Sequence, residues 1–101
     1  MYLSLVVPVY NEVENLTPLH ERVREVLDST GWSYELILVD DGSTDGSDRM
    51  LTDLHAKDRR VKVIRFRRNF GQTAALAAGF DYAHGDIVVS LDGDMQNDPV
   101  D

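Results

Sequence analysis

The chain has 101 residues, 28% charged and 43% hydrophobic, with a formal net charge of −8, a size and mix that suit one small domain or part of a larger one. That acidic balance argues against bare nucleic acid as a partner, but leaves room for a phosphorylated ligand bridged to carboxylates by a divalent cation. The absence of cysteine excludes disulfides and thiolate metal sites, and no apolar run approaches the ~20 residues of a membrane span.

The first residues, MYLSLVVPVYNE, carry no basic n-region and no small-residue cleavage site, so a cytoplasmic location is expected. Leu3 to Val9 reads as a buried strand. Leu16, Leu19, Val23, Val26 and Leu27 then recur at helical spacing, with Thr17-Pro18 as the expected cap and first turn and Gly31 as the stop. Tyr34 to Asp40 is a second strand, followed by the turn DGSTDGS. Met50, Leu51 and Leu54 mark a helix ending near Lys57. Val61 to Phe66 is a third strand, Gln72 to His84 an alanine-rich helix closed by Gly85, and Asp86 to Asp92 a fourth strand.

The pattern is β-α-β-α-β-α-β. Apolar strands joined by helices predict an α/β fold with four parallel strands and helices on both faces. Right-handed crossovers bring every strand's C-terminal end to one edge, where ligands of open α/β sheets bind. That edge collects Asn11 and Glu12, then Asp40 and Asp41, then Arg67, Arg68 and Asn69, then Asp92 and Asp94.

Each motif on this rim admits a functional and a plain reading. In SLDGDMQ, Asp92 and Asp94 flank Gly93, which lets the backbone bend closely round a ligand. Mg²⁺ and Mn²⁺ take such oxygen ligands, and Gln96 adds an amide oxygen. The plain alternative is a solvated acidic turn. In VDDGSTDGS, Asp41 offers an acceptor for a base N–H or a ribose hydroxyl, while Ser43, Thr44 and Asp45 suit a helix cap. A cap needs only one aspartate, and adjacent carboxylates repel. In VPVYNE, Tyr10 offers a stacking face and Glu12 an acceptor; otherwise they are a core-edge tyrosine and a solvated glutamate. Arg67 and Arg68 suit a phosphate or carboxylate, or simply a solvated edge. His20, His55 and His84 fall on predicted helices away from the rim. Neither G-x-x-x-x-G-K-[ST] nor G-x-G-x-x-G occurs, so a nucleotide here is not held by a P-loop or a dinucleotide fingerprint.

VPVYNEVENL, ELILVDDGSTDGS, RNFGQTAALAAG and GDIVVSLDGDMQNDP follow one another in that order. Together they resemble the family 2 glycosyltransferases of the GT-A fold, and within them the polyprenyl-phosphate branch typified by dolichyl-phosphate mannosyltransferase. The resemblance covers essentially the whole chain. It implies a Rossmann-like nucleotide-binding half over residues 1–101 and a UDP- or GDP-sugar as donor. Pro8, Tyr10 and Glu12 would then line the base and ribose pocket, and Asp41, with Asp40 beside it, would contact the nucleoside. Gly71 and its RNFG loop would approach the sugar diphosphate. Asp92, Asp94 and Gln96 would hold Mg²⁺ or Mn²⁺.

In that family the acceptor half and the catalytic base follow the nucleotide-binding half. The resemblance therefore implies a catalytic base beyond Asp101, the last residue of this chain, and assigns none of residues 1–101 to that role. The chain is expected to be an N-terminal piece, with the parent at the cytoplasmic face of a membrane and a lipid phosphate as acceptor. An uncovered sheet edge is expected to favour self-association. Two other classes compete with this reading. A donor-binding module without catalysis is what such a piece would be by itself. A phosphotransfer α/β domain needs a lysine at a later strand end, and Lys57 and Lys62 are the only lysines.

Overall fold

The computed structural model describes residues 1–91. Four strands, β1 (Tyr2–Val9), β2 (Ser33–Asp40), β3 (Val61–Arg65) and β4 (Ile87–Ser90), alternate with helices α1 (Val13–Asp28), α2 (Ser47–Lys57) and α3 (Gln72–Tyr82). The strands form one sheet in the order β3-β2-β1-β4, and every pairing is parallel. Since β2 and β3 lie on one side of β1 and β4 on the other, the order reverses at β1. Right-handed crossovers then place α1 and α2 on one face and α3 on the other.

The two faces have separate cores. On one, Leu16, Leu19, Val23 and Leu27 of α1 and Leu51 and Leu54 of α2 pack on Leu5, Val7, Leu36 and Leu38. On the other, Ala75 of α3 meets Val6, Ile37 and Val39. Helix α3 sits close because it presents Gly79, where a Cβ would overlap the Val6 side chain. The alanine-rich sequence is thus a packing requirement as well as a helix preference.

Four expectations need correction. Helix α1 begins at Val13, with Pro18 inside it rather than in its first turn. Its start is capped from elsewhere in the chain, because the Val13 N–H donates to Asp45 Oδ2 at 3.2 Å. The buried face from Leu16 to Leu27 offsets the missing Pro18 N–H. Helix α2 is capped by Gly46 in the left-handed region, not by the hydroxyls of Ser43 or Thr44. Finally, β4 is exposed on both faces, at about 40% for Ile87, Val88 and Val89. Among the described residues it pairs with β1 over four positions, and helix α3 packs on β1 and β2 instead. His84 also lies beyond the end of α3, at Tyr82.

Pro8 removes the next bond that β1 would donate to β4. Along β1, Tyr2 and Val6 turn their carbonyls toward β4, accepting from Asp86 N and Leu91 N, whereas Val9 turns its carbonyl toward Asp41 on the β2 side. Pro8 therefore faces β4, and its missing N–H falls just past the last pair, Val6 with Ser90. The β2 ladder is untouched and continues through Pro8 and Val39. β1 and β4 flank the point where the strand order reverses.

Candidate functional site

All four strands point the same way, so their C-terminal ends share one rim. The loops after β1 and β2 are locked together there. Asn11, in the left-handed region at φ 52°, accepts from Thr44 N through Oδ1 at 2.8 Å, and its own N–H donates to Ser43 Oγ at 2.9 Å. With the Asp45 bond to Val13, three contacts join the two loops. Asp45 also accepts from Ser47 N. Desolvation raises its carboxyl pKa, but the Ser47 hydroxyl and these backbone bonds outweigh it and hold the group below the usual range. The platform they form carries Tyr10, 46% exposed. Glu12 beside it accepts from Asn15 Nδ2 and is half-buried. Pro8 is half-buried on β1 below them.

Asp40 and Asp41 are both buried, at 1% and 3% exposure, and both carboxylates serve the protein. Asp40 Oδ1 accepts from Ser43 N at 2.9 Å, and its Oδ2 lies 4.0 Å from Arg65 Nε. Asp41 reaches the loop between β3 and α3. Its Oδ1 accepts from Phe70 N at 2.7 Å, and its Oδ2 from Gly71 N at 3.0 Å and Asn69 Nδ2 at 3.1 Å. Gly71, expected beside a sugar diphosphate, thus has its N–H committed to Asp41.

The β2 and β3 loops touch backbone to backbone. Gly42, at φ 79°, leaves no room for a Cβ against Arg68 and Asn69, whose amide nitrogen would lie 2.5 Å away. Beyond this contact Phe70 stands 55% exposed, edge-on to Phe66 at 5.6 Å, with the Arg68 guanidinium 4.8 Å over its ring. The rim therefore combines an aromatic platform, acceptors and cations, braced from beneath by two buried aspartates. The sequence reading named Asp41 but missed its partners, because nothing local links it to residues thirty positions on.

The three histidines stand away from these loops. His20 is buried and meets Asp58 Oδ2 at 2.9 Å. His55 Nδ1 donates to the Val61 carbonyl at 2.6 Å. The backbone N–H of His84 donates to Glu35 Oε2 at 2.7 Å.

Among the described residues no group of three or more His, Asp or Glu is placed to hold a metal. Asp92, Asp94 and Gln96 lie outside the described residues, as does Asp101, beyond which the catalytic base is expected. The chemistry of the first three, two carboxylates and an amide oxygen, fits a hard cation such as Mg²⁺ or Mn²⁺. In sequence they follow Leu91, whose N–H bonds Val6 O.

Known proteins resemble this chain in sequence and in fold. The undecaprenyl-phosphate 4-deoxy-4-formamido-L-arabinose transferase of Pseudomonas fluorescens is 46% identical over 98 residues, covering 96% of this chain and 29% of that protein. The dodecaprenyl-phosphate galacturonate synthase of Rhizobium johnstonii is 47% identical over 103 residues, covering 98% and 30%. The chain thus spans just under a third of the length of these relatives. Among solved structures, TarS 1-349 of S. aureus in complex with UDP superposes with a TM-score of 0.76 at 26% identity, over 93% of this chain and 28% of that one. The mannosyltransferase PcManGT of Pyrobaculum calidifontis, in complex with GDP-Man and Mn²⁺, superposes with a TM-score of 0.72 at 26% identity, over 91% and 27%. The profile of glycosyl transferase family 2 matches residues 4–101, and with the parallel sheet and its braced rim this chain belongs to that family.

Proposed function

We propose that residues 1–101 form the donor-binding part of an enzyme that transfers a sugar from a nucleoside diphosphate to a polyprenyl phosphate, at the cytoplasmic face of a membrane. The observation that carries this reading is the cross-linked platform of residues 10–13 and 43–45 at the open end of the sheet. It presents Tyr10 and Glu12 without further ordering, and preorganisation of that kind lowers the entropic cost of binding. The UDP and GDP-Man bound by solved relatives support the donor class, and the names of the sequence relatives support the acceptor class.

In this reading Tyr10 stacks on the base and Glu12 accepts from a ribose hydroxyl. Asp40 and Asp41 set the loops that enclose the nucleoside, and Arg67 and Arg68 offset phosphate charge. Asp92, Asp94 and Gln96 would hold Mg²⁺ or Mn²⁺, which when bound neutralises charge on the departing diphosphate. A phosphate acceptor is already ionised, so alignment of its oxygen with the anomeric carbon matters more than a strong base.

Titration of the chain with UDP-, GDP- and CDP-sugars, with and without Mn²⁺, tests this. Binding of at least one donor, strengthened by Mn²⁺ and insensitive to it in Asp94→Asn, is expected. Absence of binding by every donor at millimolar concentration overturns the reading. Because the chain spans under a third of its relatives' length, we expect it to bind donor without transferring sugar when it is alone.

A further inference from the structure

Charge is unevenly spread along this acidic chain. Seven of its ten Lys and Arg residues lie within residues 57–68, and that segment contains one carboxylate, Asp58, of the eighteen in the chain. The segment runs the length of β3, an outer strand of the sheet, from its N-terminal end to the rim.

Not all seven cations are free. Arg60 is held by Asp58 and Asp28 and lies over the Tyr34 ring, and Arg65 donates to the Asp48 carbonyl. Among the described residues, the side chains of Lys57, Arg59, Lys62 and Arg67 find no carboxylate partner. Lys57, Arg59 and Arg67 are exposed and Lys62 half-exposed. Along the strand a cleft of about 460 Å³ is lined by His55, Lys62, Arg65 and Tyr82. Phe70 stands exposed at the rim end, with Arg68 stacked on its ring.

An edge strand can be blunted by one or two charges, and here His55 already caps the Val61 carbonyl. Four cations without a carboxylate partner exceed what edge protection needs. A row of Lys and Arg ending in an exposed aromatic ring suits an anionic lipid surface: the cations meet headgroup phosphates and the ring enters the interface. The carboxylates elsewhere on the chain do not cancel this attraction, because charges farther than the Debye length of ~8–10 Å are screened.

We propose that the β3 edge, from Lys57 to Arg65, docks on an anionic bilayer and so holds the rim beside the membrane that carries the acceptor. This rests on the lipid-phosphate reading of the acceptor, and it adds which side of the molecule faces the lipid.

Sedimentation of the chain with vesicles of phosphatidylcholine alone, or with 30% phosphatidylglycerol, tests it. Binding is expected only to the anionic vesicles and should be lost in 0.5 M NaCl. Each removed cation lowers binding about fivefold, so R59Q/K62Q should bind about 25-fold less tightly. These side chains stand apart from the donor platform, so the variant's affinity for a donor nucleotide and its thermal midpoint should match those of the parent. That control separates failure of the docking surface from failure of the donor reading. Equal binding to both vesicle types, or undiminished binding by the folded variant, overturns the proposal. So does an absence of vesicle binding with a concentration-dependent dimer that R59Q/K62Q abolishes, which would assign the edge to a second copy.

Discussion

Asp41 and Gly71, thirty residues apart in the chain, are joined by a 3.0 Å hydrogen bond from the glycine N–H to the aspartate Oδ2. With the bonds from Phe70 N and Asn69 Nδ2, one buried carboxylate satisfies three donors and fixes the entrance to α3. An aspartate that looks like a ligand contact thus also holds a neighbouring loop in place.

Asp41→Asn should therefore act on the loop. The amide that replaces one oxygen brings donors against donors, leaving buried N–H groups unsatisfied at a cost of about 2 kcal/mol. For a chain of this length that corresponds to a fall of roughly 10 °C in the thermal midpoint. The NMR amide resonances of Phe70 and Gly71 should shift with it. A midpoint and resonances equal to the parent's would show that the carboxylate does not hold the loop.

Gly42 and Gly46 both have positive φ, 79° and 93°, but their surroundings differ. A Cβ at Gly42 meets the Arg68 and Asn69 backbone, whereas one at Gly46 meets open space. Gly46→Ala should cost about 1–2 kcal/mol of backbone strain. Gly42→Ala adds a displaced loop and should cost at least about 1 kcal/mol more. Urea denaturation of both variants measures the difference, and equal losses would refute the close contact.

Tyr10 is exposed, so its removal should cost little stability and much affinity. Stacking of a base on an aromatic side chain is worth about 1–3 kcal/mol. Tyr10→Ala should accordingly weaken nucleotide binding about tenfold or more, and Tyr10→Phe should restore it. Calorimetric titration with UDP and GDP distinguishes stacking from a hydroxyl contact, because the latter would leave Tyr10→Phe as weak as alanine.

Glu35 predicts an acid response. Only 1% exposed, it accepts from Ser4 Oγ at 2.6 Å and His84 N at 2.7 Å. Burial raises its pKa, but these hydrogen bonds lower it more, and the carboxyl ends below its ordinary 4.5. A depressed folded-state value means the contribution to stability is complete above the unfolded value and is lost as pH falls below about 4.5. Thermal midpoints measured between pH 6 and 3 should decline less steeply for Glu35→Gln than for the parent. Asp58, raised by burial but held low by its bonds to Arg60 and His20, and Asp45, also held low, contribute further slope. An unchanged slope in Glu35→Gln would remove Glu35 from the account.

Strands β1 to β3 were legible because short, predominantly apolar and β-branched stretches, bounded by turns, permit few other readings. The order of the rim motifs was legible because parallel topology puts successive strand ends together. The start of α1 was not, since its cap is Asp45, which lies beyond a whole strand. Nor was the exposure of β4, because an apolar run says how readily a segment can be buried and not what covers it. The commitment of Asp41 to Gly71 was hidden for the same reason as the α1 cap: both are contacts between loops that only the finished sheet brings together.

Pro8 has a further consequence, for the order of assembly. Strand β1 pairs with β2 at a separation of 31 residues but with β4 at 84, and more distant segments cost more chain entropy to bring together. The β1-α1-β2 unit can therefore form while the last strand is still being synthesised, leaving one side of β1 without a partner in the nascent chain. A strand in that state invites pairing with another molecule. The missing N–H at Pro8 interrupts the open side of β1 near its end, so the residue that withholds one ladder bond from β4 also guards the nascent sheet against misassembly.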